Sequence, residues 1–445
     1  MIDTIVARAT PPGRGGVAIV RLSGPSAGEI AASIGGDLPA PRHAAFRTFC
    51  DNTGRVIDSG LLLYFVAPNS FTGEAVVELQ CHGGPLVVDA LLSRAVELGA
   101  RLAEPGEFSQ RAFLNNRIDL AQAEAIADLI DAASQQAVRG AQRVLQGDFS
   151  TQVRQLTDKL IALRLYIEAA LDFPEEEVDF LADESVRQQL ETLIVECQVL
   201  TQSAHQGQLL RDGIKVVIGG SPNVGKSTLL NALAGQQRAL VTDIAGTTRD
   251  LVKETVLIDG LPLDIIDTAG LRQTDDPVEQ AGIALAEAAI DSADLVLHIT
   301  TQSELESEQT GLKGLAPDTP LIQVVNKIDL RSESPRIEQK TDFSTIYLSA
   351  KSGEGLSLLK QKIAEIVGYR PAEEGVFIAR RRHLDALERT TAAINAGSES
   401  LLKYGAGELL AEELRQAQQH LAEITGEFTS DDLLGEIFSS FCIGK

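Results

Sequence analysis

The sequence predicts a multidomain chain in which an α+β domain comes first and a helical domain is interrupted by an inserted α/β domain. Three observations carry this reading. The first 116 residues hold short β-branched runs separated by glycine-rich turns. The next stretch is proline-free and rich in Ala, Leu, Gln and Glu. From Gly213, apolar strands alternate with helical segments, and helical spacing resumes after Pro371.

In the first segment, Thr4–Ala9 and Val17–Leu22 read as two strands joined by the turn PPGRGG. Leu61–Val66 and Ala75–Gln80 read as further strands. Pro85–Gly99 has helical spacing through Leu86, Ala90, Leu91 and Val96, with Gly99 as C-cap. From Asp119, LAQAEAIADLIDAASQQAVRGAQRVL reads as one long helix, and Val153–Leu171 and Val186–Leu210 continue the pattern around the acidic interruption DFPEEEVDFLADE. The runs KVVIGG, LDIIDTAG, DLVLHIT, LIQVVNK and TIYLSA predict a parallel-rich sheet with helices on both faces. Ala379 to Phe441 is helical again. The expected domains are 1–116, 117–211, 212–370 and 371–445, the second and fourth forming one discontinuous helical domain.

Composition bounds the function. The chain has 445 residues, 44% apolar and 23% charged, as in a folded globular protein. Its net charge of −24 argues against a broad basic field for non-specific nucleic-acid binding. Cys50, Cys81, Cys197 and Cys442 form no CxxC pair, which suits a reducing compartment. No signal peptide or membrane-crossing run is read, so the expected location is cytoplasmic.

The strongest motif is Gly220-Ser-Pro-Asn-Val-Gly225-Lys226-Ser227, which matches the P-loop between a strand and the helix KSTLLNALAG. Backbone amides there can close around phosphates at a helix N-terminus. Lys226 is expected to reach the β- and γ-phosphates and Ser227 to bind Mg²⁺, with Asn223, Val224, Gly225 and Thr228 completing the cradle. Asn326-Lys327-Ile328-Asp329 selects GTP over ATP. A carboxylate at Asp329 accepts from both the ring N–H and the exocyclic amine of guanine, whereas adenine presents the opposite pattern. Ser349-Ala350-Lys351 follows a strand where an amide can meet guanine O6. Asp267-Thr268-Ala269-Gly270 fits a Walker-B aspartate with a γ-phosphate-sensing glycine. Gly246-Thr247-Thr248-Arg249-Asp250 offers threonines to Mg²⁺, although by itself it also reads as an ordinary polar loop. After DTAG stands Leu271, where Ras-type GTPases have a water-orienting Gln. Asp275, Asp276 and Glu279 are candidate replacements, or members of a solvated acidic loop.

Taken together, TPPGRGGVAIVRLSGP, PNSFTGE, VELQCHGG, PGEFSQRAFLNNRIDLAQAEA, the GTPase motifs and the terminal Cys442-Ile443-Gly444-Lys445 resemble the MnmE (TrmE) family of tRNA modification GTPases along the whole chain. The resemblance implies an N-terminal domain that binds a tetrahydrofolate derivative and forms a homodimer, and an inserted Ras-like P-loop GTPase domain. It implies work with the FAD-containing partner MnmG (GidA) to place an aminomethyl or carboxymethylaminomethyl group on C5 of the tRNA wobble uridine. It also implies K⁺-dependent pairing of GTPase domains that activates hydrolysis of GTP to GDP. By the same resemblance, Asn223 is a K⁺ ligand, and the loop Thr242-Asp243-Ile244-Ala245-Gly246-Thr247 completes the cage through the Thr242 and Ile244 carbonyls and Thr247. Thr248 joins Ser227 on Mg²⁺, and Glu279 orients water. Arg21, Glu78, Arg117 and Lys445 form the folate site, Arg117 standing where a Lys is often found. Cys442 is implied to be a modification-site residue; a free Cys is otherwise most often a buried small hydrophobe. Cys81, beside His82, reads as structural because neighbouring strand residues face opposite sides. Leu433, Leu434, Ile437, Phe438 and Phe441 share one helical face, after a capping-type start at Thr429-x-x-Asp432. The GTPase motifs alone also fit a ribosome-assembly or regulatory switch of the Era or Der type, or a membrane-fission GTPase. Folate binding separates the first reading from these.

Overall fold

The computed structural model describes residues 3–172, 184–235, 253–267, 293–306, 319–341, 343–370, 375–427, 431–439, 441 and 444. The chain folds into two compact units. One comprises Met1–Ala127, Val144–Leu190 and Ala392–Lys445; the other comprises Asp128–Arg143 and Glu191–Thr391.

The first unit begins with β1 (Ile5–Arg8), β2 (Gly15–Ser23), α1 (Ala27–Gly35), β3 (Ala45–Cys50), β4 (Val56–Phe65), β5 (Val76–Gly83), α2 (Pro85–Glu97), β6 (Arg101–Leu102) and α3 (Glu107–Leu114). The strands form one sheet in the order β3-β4-β5-β2-β1-β6. All neighbours are antiparallel except β1 and β6. Alternation places Val20, Leu22, Leu62, Val77 and Leu79 on a buried face under α1 and α2. On the opposite face Ile5 and Ala7 pack against Phe108 of α3.

The helical part contains α4 (Leu120–Asp131), α5 (Gln135–Leu145), α6 (Asp148–Asp172) and α7 (Glu184–Asp212). The stretch read as one long helix from Asp119 is therefore broken at 132–134. No proline marks the break. Ser134 makes it locally, its Oγ accepting the Ala137 N–H at 3.1 Å, an N-cap that starts a new helix. In the first unit α12 (Gly407–Thr425) runs along α6, where Arg164 donates to the Gln418 side chain at 2.8 Å. The last helix, α13 (Asp431–Ser439), buries Leu434, Ile437 and Phe438, with Phe441 beyond its end, against Phe113, Leu120 and Ala123. The apolar face read from the sequence is the face that packs. The Thr429 cap lies outside the described residues.

The second unit is built on a sheet ordered β12-β13-β11-β10-β7-β9-β8. Its strands are β7 (Ile214–Gly219), β8 (Lys253–Ile258), β9 (Leu261–Asp267), β10 (Leu295–Thr301), β11 (Leu321–Asn326), β12 (Arg336–Gln339) and β13 (Ser344–Tyr347). The five central strands are parallel, and β8 and β12 pair antiparallel at the two edges. α8 (Lys226–Ala234) and α10 (Leu356–Val367) cover one face. On the other, α9 (Gln302–Glu306) brings Leu305 against Val325 and Tyr347.

The same core continues into helical residues of this unit. Ala137, Ala141, Leu210 and Ile378 cluster with the sheet. Gln206 of α7 donates to the Gly368 carbonyl at 2.7 Å and accepts the Arg370 N–H at 2.8 Å, so a buried amide is satisfied at both ends. Asp128 accepts from Arg211 at 2.8 Å and from Arg380, which precedes α11 (Arg381–Tyr404), at 2.9 Å. Among the described residues no helix is long and apolar enough to cross a membrane.

Candidate nucleotide site

The loop after β7 is shaped by residues that accept positive φ. Gly220 has φ +143°, Asn223 +65° and Gly225 +101°. A Cβ on Gly220 would lie 2.1 Å from the Ile299 carbonyl oxygen, so the loop can pass β10 only as glycine. Lys226 opens α8 and is buried; its ammonium donates to the carbonyls of Gly220 at 2.7 Å and Ser221 at 3.0 Å. The lysine thus folds back over its own loop and closes the ring of backbone that cradles phosphate. Ser227 and Thr228, the next two residues, are exposed at the helix start.

The base loop is wired to this cradle. The Asn326 side chain donates to the Val224 carbonyl at 2.9 Å and accepts the N–H groups of Lys327 at 2.8 Å and Ala350 at 2.9 Å. Lys327, with φ +68°, donates from its ammonium to the Asn223 carbonyl at 2.6 Å. Ser349 is buried; its hydroxyl donates to Asp329 Oδ1 at 2.7 Å, which aims one carboxylate oxygen and leaves the second for a base. Lys351 is exposed.

The structure therefore brings together Asn223 to Lys226, Asn326, Lys327, Asp329, Ser349 and Ala350. Asp267 ends β9, paired in register with Ile218 beside the P-loop. Thr242, Asp243, Ile244, Ala245, Gly246, Thr247, Thr248, Thr268, Ala269, Gly270, Glu279 and Cys442 lie outside the described residues, as does Lys445. Sequence reading missed the wall formed by Thr301, Gln302, Ser303 and Glu304, which lines a cleft with Asn223, Asn326 and Lys327. No motif marks it, because those residues reach the site through the parallel pairing of β10 and β11.

In the first unit, Arg21 and Glu78 face each other in register across β2 and β5 and form an ion pair at 2.9 Å. Arg21 also donates to the Gly444 carbonyl at 3.3 Å, and its guanidinium lies 5.7 Å from the Phe108 ring centroid. Gly444 thus reaches this strand face. A carboxylate beside a guanidinium offers both acceptor and donor to a polar heterocycle, which suits a pterin. The Arg117 stem lies beside Gly73, whose added Cβ would meet Arg117 Cγ at 3.2 Å. Cys81 is buried and its thiol is pushed up by burial, in keeping with a structural role.

A loop of the G-x-x-x-x-G-K-S pattern, tied by side-chain bonds to an Asn-Lys-Ile-Asp loop on a parallel-rich sheet, defines a P-loop GTPase. Two family models match the chain: the GTP-binding protein TrmE N-terminus over residues 4–117 and the MnmE helical domain over residues 120–442. The chain belongs to the MnmE family of tRNA modification GTPases. It is 57% identical to the tRNA modification GTPase MnmE of Hydrogenovibrio crunogenus, over 100% of this chain and 99% of that one. It is 56% identical to the protein of that name from Pseudomonas aeruginosa, again over 100% of this chain and 99% of the relative. Among solved structures, the FeoB G-domain from Methanococcus jannaschii is 24% identical, covering 35% of this chain and 98% of its own, with a TM-score of 0.26.

Proposed function

We propose that this chain is a K⁺-activated GTP hydrolase that acts in the cytoplasm as a homodimer with an FAD-containing partner of the MnmG (GidA) type. Together they add an aminomethyl or carboxymethylaminomethyl group to C5 of the tRNA wobble uridine, drawing a one-carbon unit from a tetrahydrofolate derivative. The full-length relatives, tRNA modification GTPases by name, support the tRNA role. The observation that carries the nucleotide half is the Asn326 junction, which holds the base loop and the phosphate loop in one hydrogen-bonded piece.

In this reading Lys226 leaves the Gly220 and Ser221 carbonyls for the β- and γ-phosphates. Ser227 and Thr248 hold Mg²⁺. Asn223, Thr242, Ile244 and Thr247 hold K⁺, which when bound supplies fixed positive charge near the developing negative charge. Glu279 orients the water that Leu271 cannot. Arg21, Glu78, Arg117 and Lys445 hold the folate, and Cys442 serves the modification site. Residues 1–116 form the folate-binding and dimerisation domain, 212–370 the GTPase domain, and 117–211 with 371–445 the helical domain.

The test is GTP hydrolysis in KCl against NaCl at equal ionic strength over a range of protein concentrations. A K⁺-specific rise that steepens with concentration supports the cation cage and domain pairing. Equal rates in both salts refute K⁺ activation. Glu279→Ala is expected to keep nucleotide affinity and lose most hydrolysis.

A further inference from the structure

Two segments of the second unit are free of acid in an otherwise acidic chain. The sequence holds 63 Asp and Glu against 39 Lys and Arg, yet residues 135–143 and 375–384 contain neither Asp nor Glu. Between them they carry Arg139, Arg143, Arg380, Arg381 and Arg382. The two segments lie against each other. A Cβ on Gly140 of α5 would meet Ile378 Cγ1 at 3.0 Å and its amide nitrogen at 3.2 Å, and Ala137, Ala141 and Ile378 share one apolar cluster. The Arg143 guanidinium lies over the Phe377 ring, 4.3 Å from its centroid. Arg139 stands one turn before Arg143 on the same side of α5.

These arginines divide by role. Arg380 is taken up by Asp128, whose side chain is only 8% exposed and also accepts from Arg211. Arg139 and Arg381 are exposed and have no hydrogen-bond or ion-pair partner among the described residues. The first turn of α11 holds no acid. Carboxylates are favoured at the positive end of a helix; here that end meets Arg380, Arg381 and Arg382, a repulsive arrangement that an anion laid over it relieves.

The charges spread over two elements instead of converging on a point. The cavity at this seam, about 120 Å³, is lined by Asp128, Asp131 and Asp212 as well as Arg211, a setting that repels a free phosphate. A chain of phosphates laid across the surface suits it better. Guanidinium groups take phosphate oxygens in pairs. A protein with a net charge of −24 also needs such a region to hold a polyanion against its own field.

We infer that Arg139 and Arg381, with Arg143 beside them, form a docking surface for the phosphate backbone of the substrate tRNA. The inference rests on the tRNA-modifying reading above. Contacts of this kind position the RNA and read no base.

The test titrates the full chain, without nucleotide, into fluorescently labelled tRNA over a series of NaCl concentrations. The double variant Arg139→Gln/Arg381→Gln is expected to bind about tenfold more weakly, and the slope of log affinity against log salt to flatten by about one per arginine. Arg139→Lys/Arg381→Lys keeps the charge and should keep the slope. Both side chains are exposed and unpaired, so the unfolding midpoint and GTP hydrolysis should not move. A Gln variant with wild-type affinity and slope overturns the inference. So does one that binds tRNA normally but loses modified-nucleoside formation when the FAD-containing partner is supplied, which would assign the surface to that protein. A wild-type chain that supports modification without itself binding tRNA overturns the inference alone. One that neither binds tRNA nor supports its modification overturns the tRNA-modifying reading as well.

Discussion

Asn326 and Val224 are 102 positions apart, yet the Asn326 amide donates to the Val224 carbonyl inside the phosphate loop at 2.9 Å. The same side chain accepts the Ala350 N–H, so a single residue ties three loops. Asn326→Ala leaves buried backbone groups without partners, at about 1–3 kcal/mol each. A fall in unfolding midpoint should accompany a loss of GTP affinity. Unchanged affinity by calorimetry would show that the loops hold their places without it.

Gly225 is the close neighbour of that junction. A Cβ there would sit 2.4 Å from the Asn326 side-chain nitrogen, on a backbone at φ +101°. Gly225→Ala should therefore cost about 1–3 kcal/mol in strain and displace the same amide. GTP binding is expected to weaken at least as much as in Asn326→Ala, and the double variant should be less than additive.

Specificity is predicted to follow Asp329. With Ser349 donating to Oδ1, the second carboxylate oxygen is the acceptor that the proposed reading offers to the N–H edge of guanine. Asp329→Asn exchanges an acceptor for a donor and should weaken GTP by 10²-fold or more, on the order of a lost charged hydrogen-bond pair. Xanthosine triphosphate, with a carbonyl in place of the amine, should bind the variant better than GTP does. A competition titration that still prefers GTP would remove Asp329 from the base site.

An acid-sensitive latch is expected in the first unit. Hydrogen bonds from Arg101 and Arg111 hold the Asp3 carboxyl down to about 2, from an ordinary 3.8. Glu107 shares both arginines; burial pushes it up, but the Arg101 bond and the Glu104 amide bring it below its usual value. Folded-state values lie below unfolded ones, so the stabilisation is present above pH 4 and is lost as pH falls towards 2. Asp3→Asn should flatten the unfolding midpoint over that range. Parallel curves for variant and wild type would contradict the latch.

A small change far from any ligand should be severe. A Cβ on Gly207 would fall 1.5 Å from the Phe377 carbonyl oxygen. Gly207→Ala must push α7 away from 375–379, with a cost of several kcal/mol expected for a backbone clash in a packed core. Loss of cooperative unfolding, or failure to accumulate folded chain, is the expected readout.

Much of this was legible because it is local. The phosphate loop, Asn326 to Asp329 and Ser349 to Lys351 are contiguous motifs following apolar strands, and the structure places those strands where the runs stand. The edge strands β8 and β12 escaped because their residues are mixed in polarity, as in RIEQ. α1 and β3 escaped for a similar reason, since an alternation such as Ala45–Cys50 is short and carries no flanking motif. The interruption at 132–134 depends on one serine hydroxyl, which composition cannot weigh against a run of helix formers. The Asn326–Val224 bond is a product of tertiary register, and no spacing in the chain announces it.

Only Gly213 separates the end of α7 from β7, whose far end becomes the phosphate loop. Ala137, Ala141, Leu210 and Ile378 belong to the sheet's apolar cluster although they fall outside 212–370. A GTPase fragment cut at those limits would carry a greasy scar where these side chains had been, and would be prone to self-associate through it. Oligomers seen with such a fragment would then report the wound rather than the pairing of intact molecules.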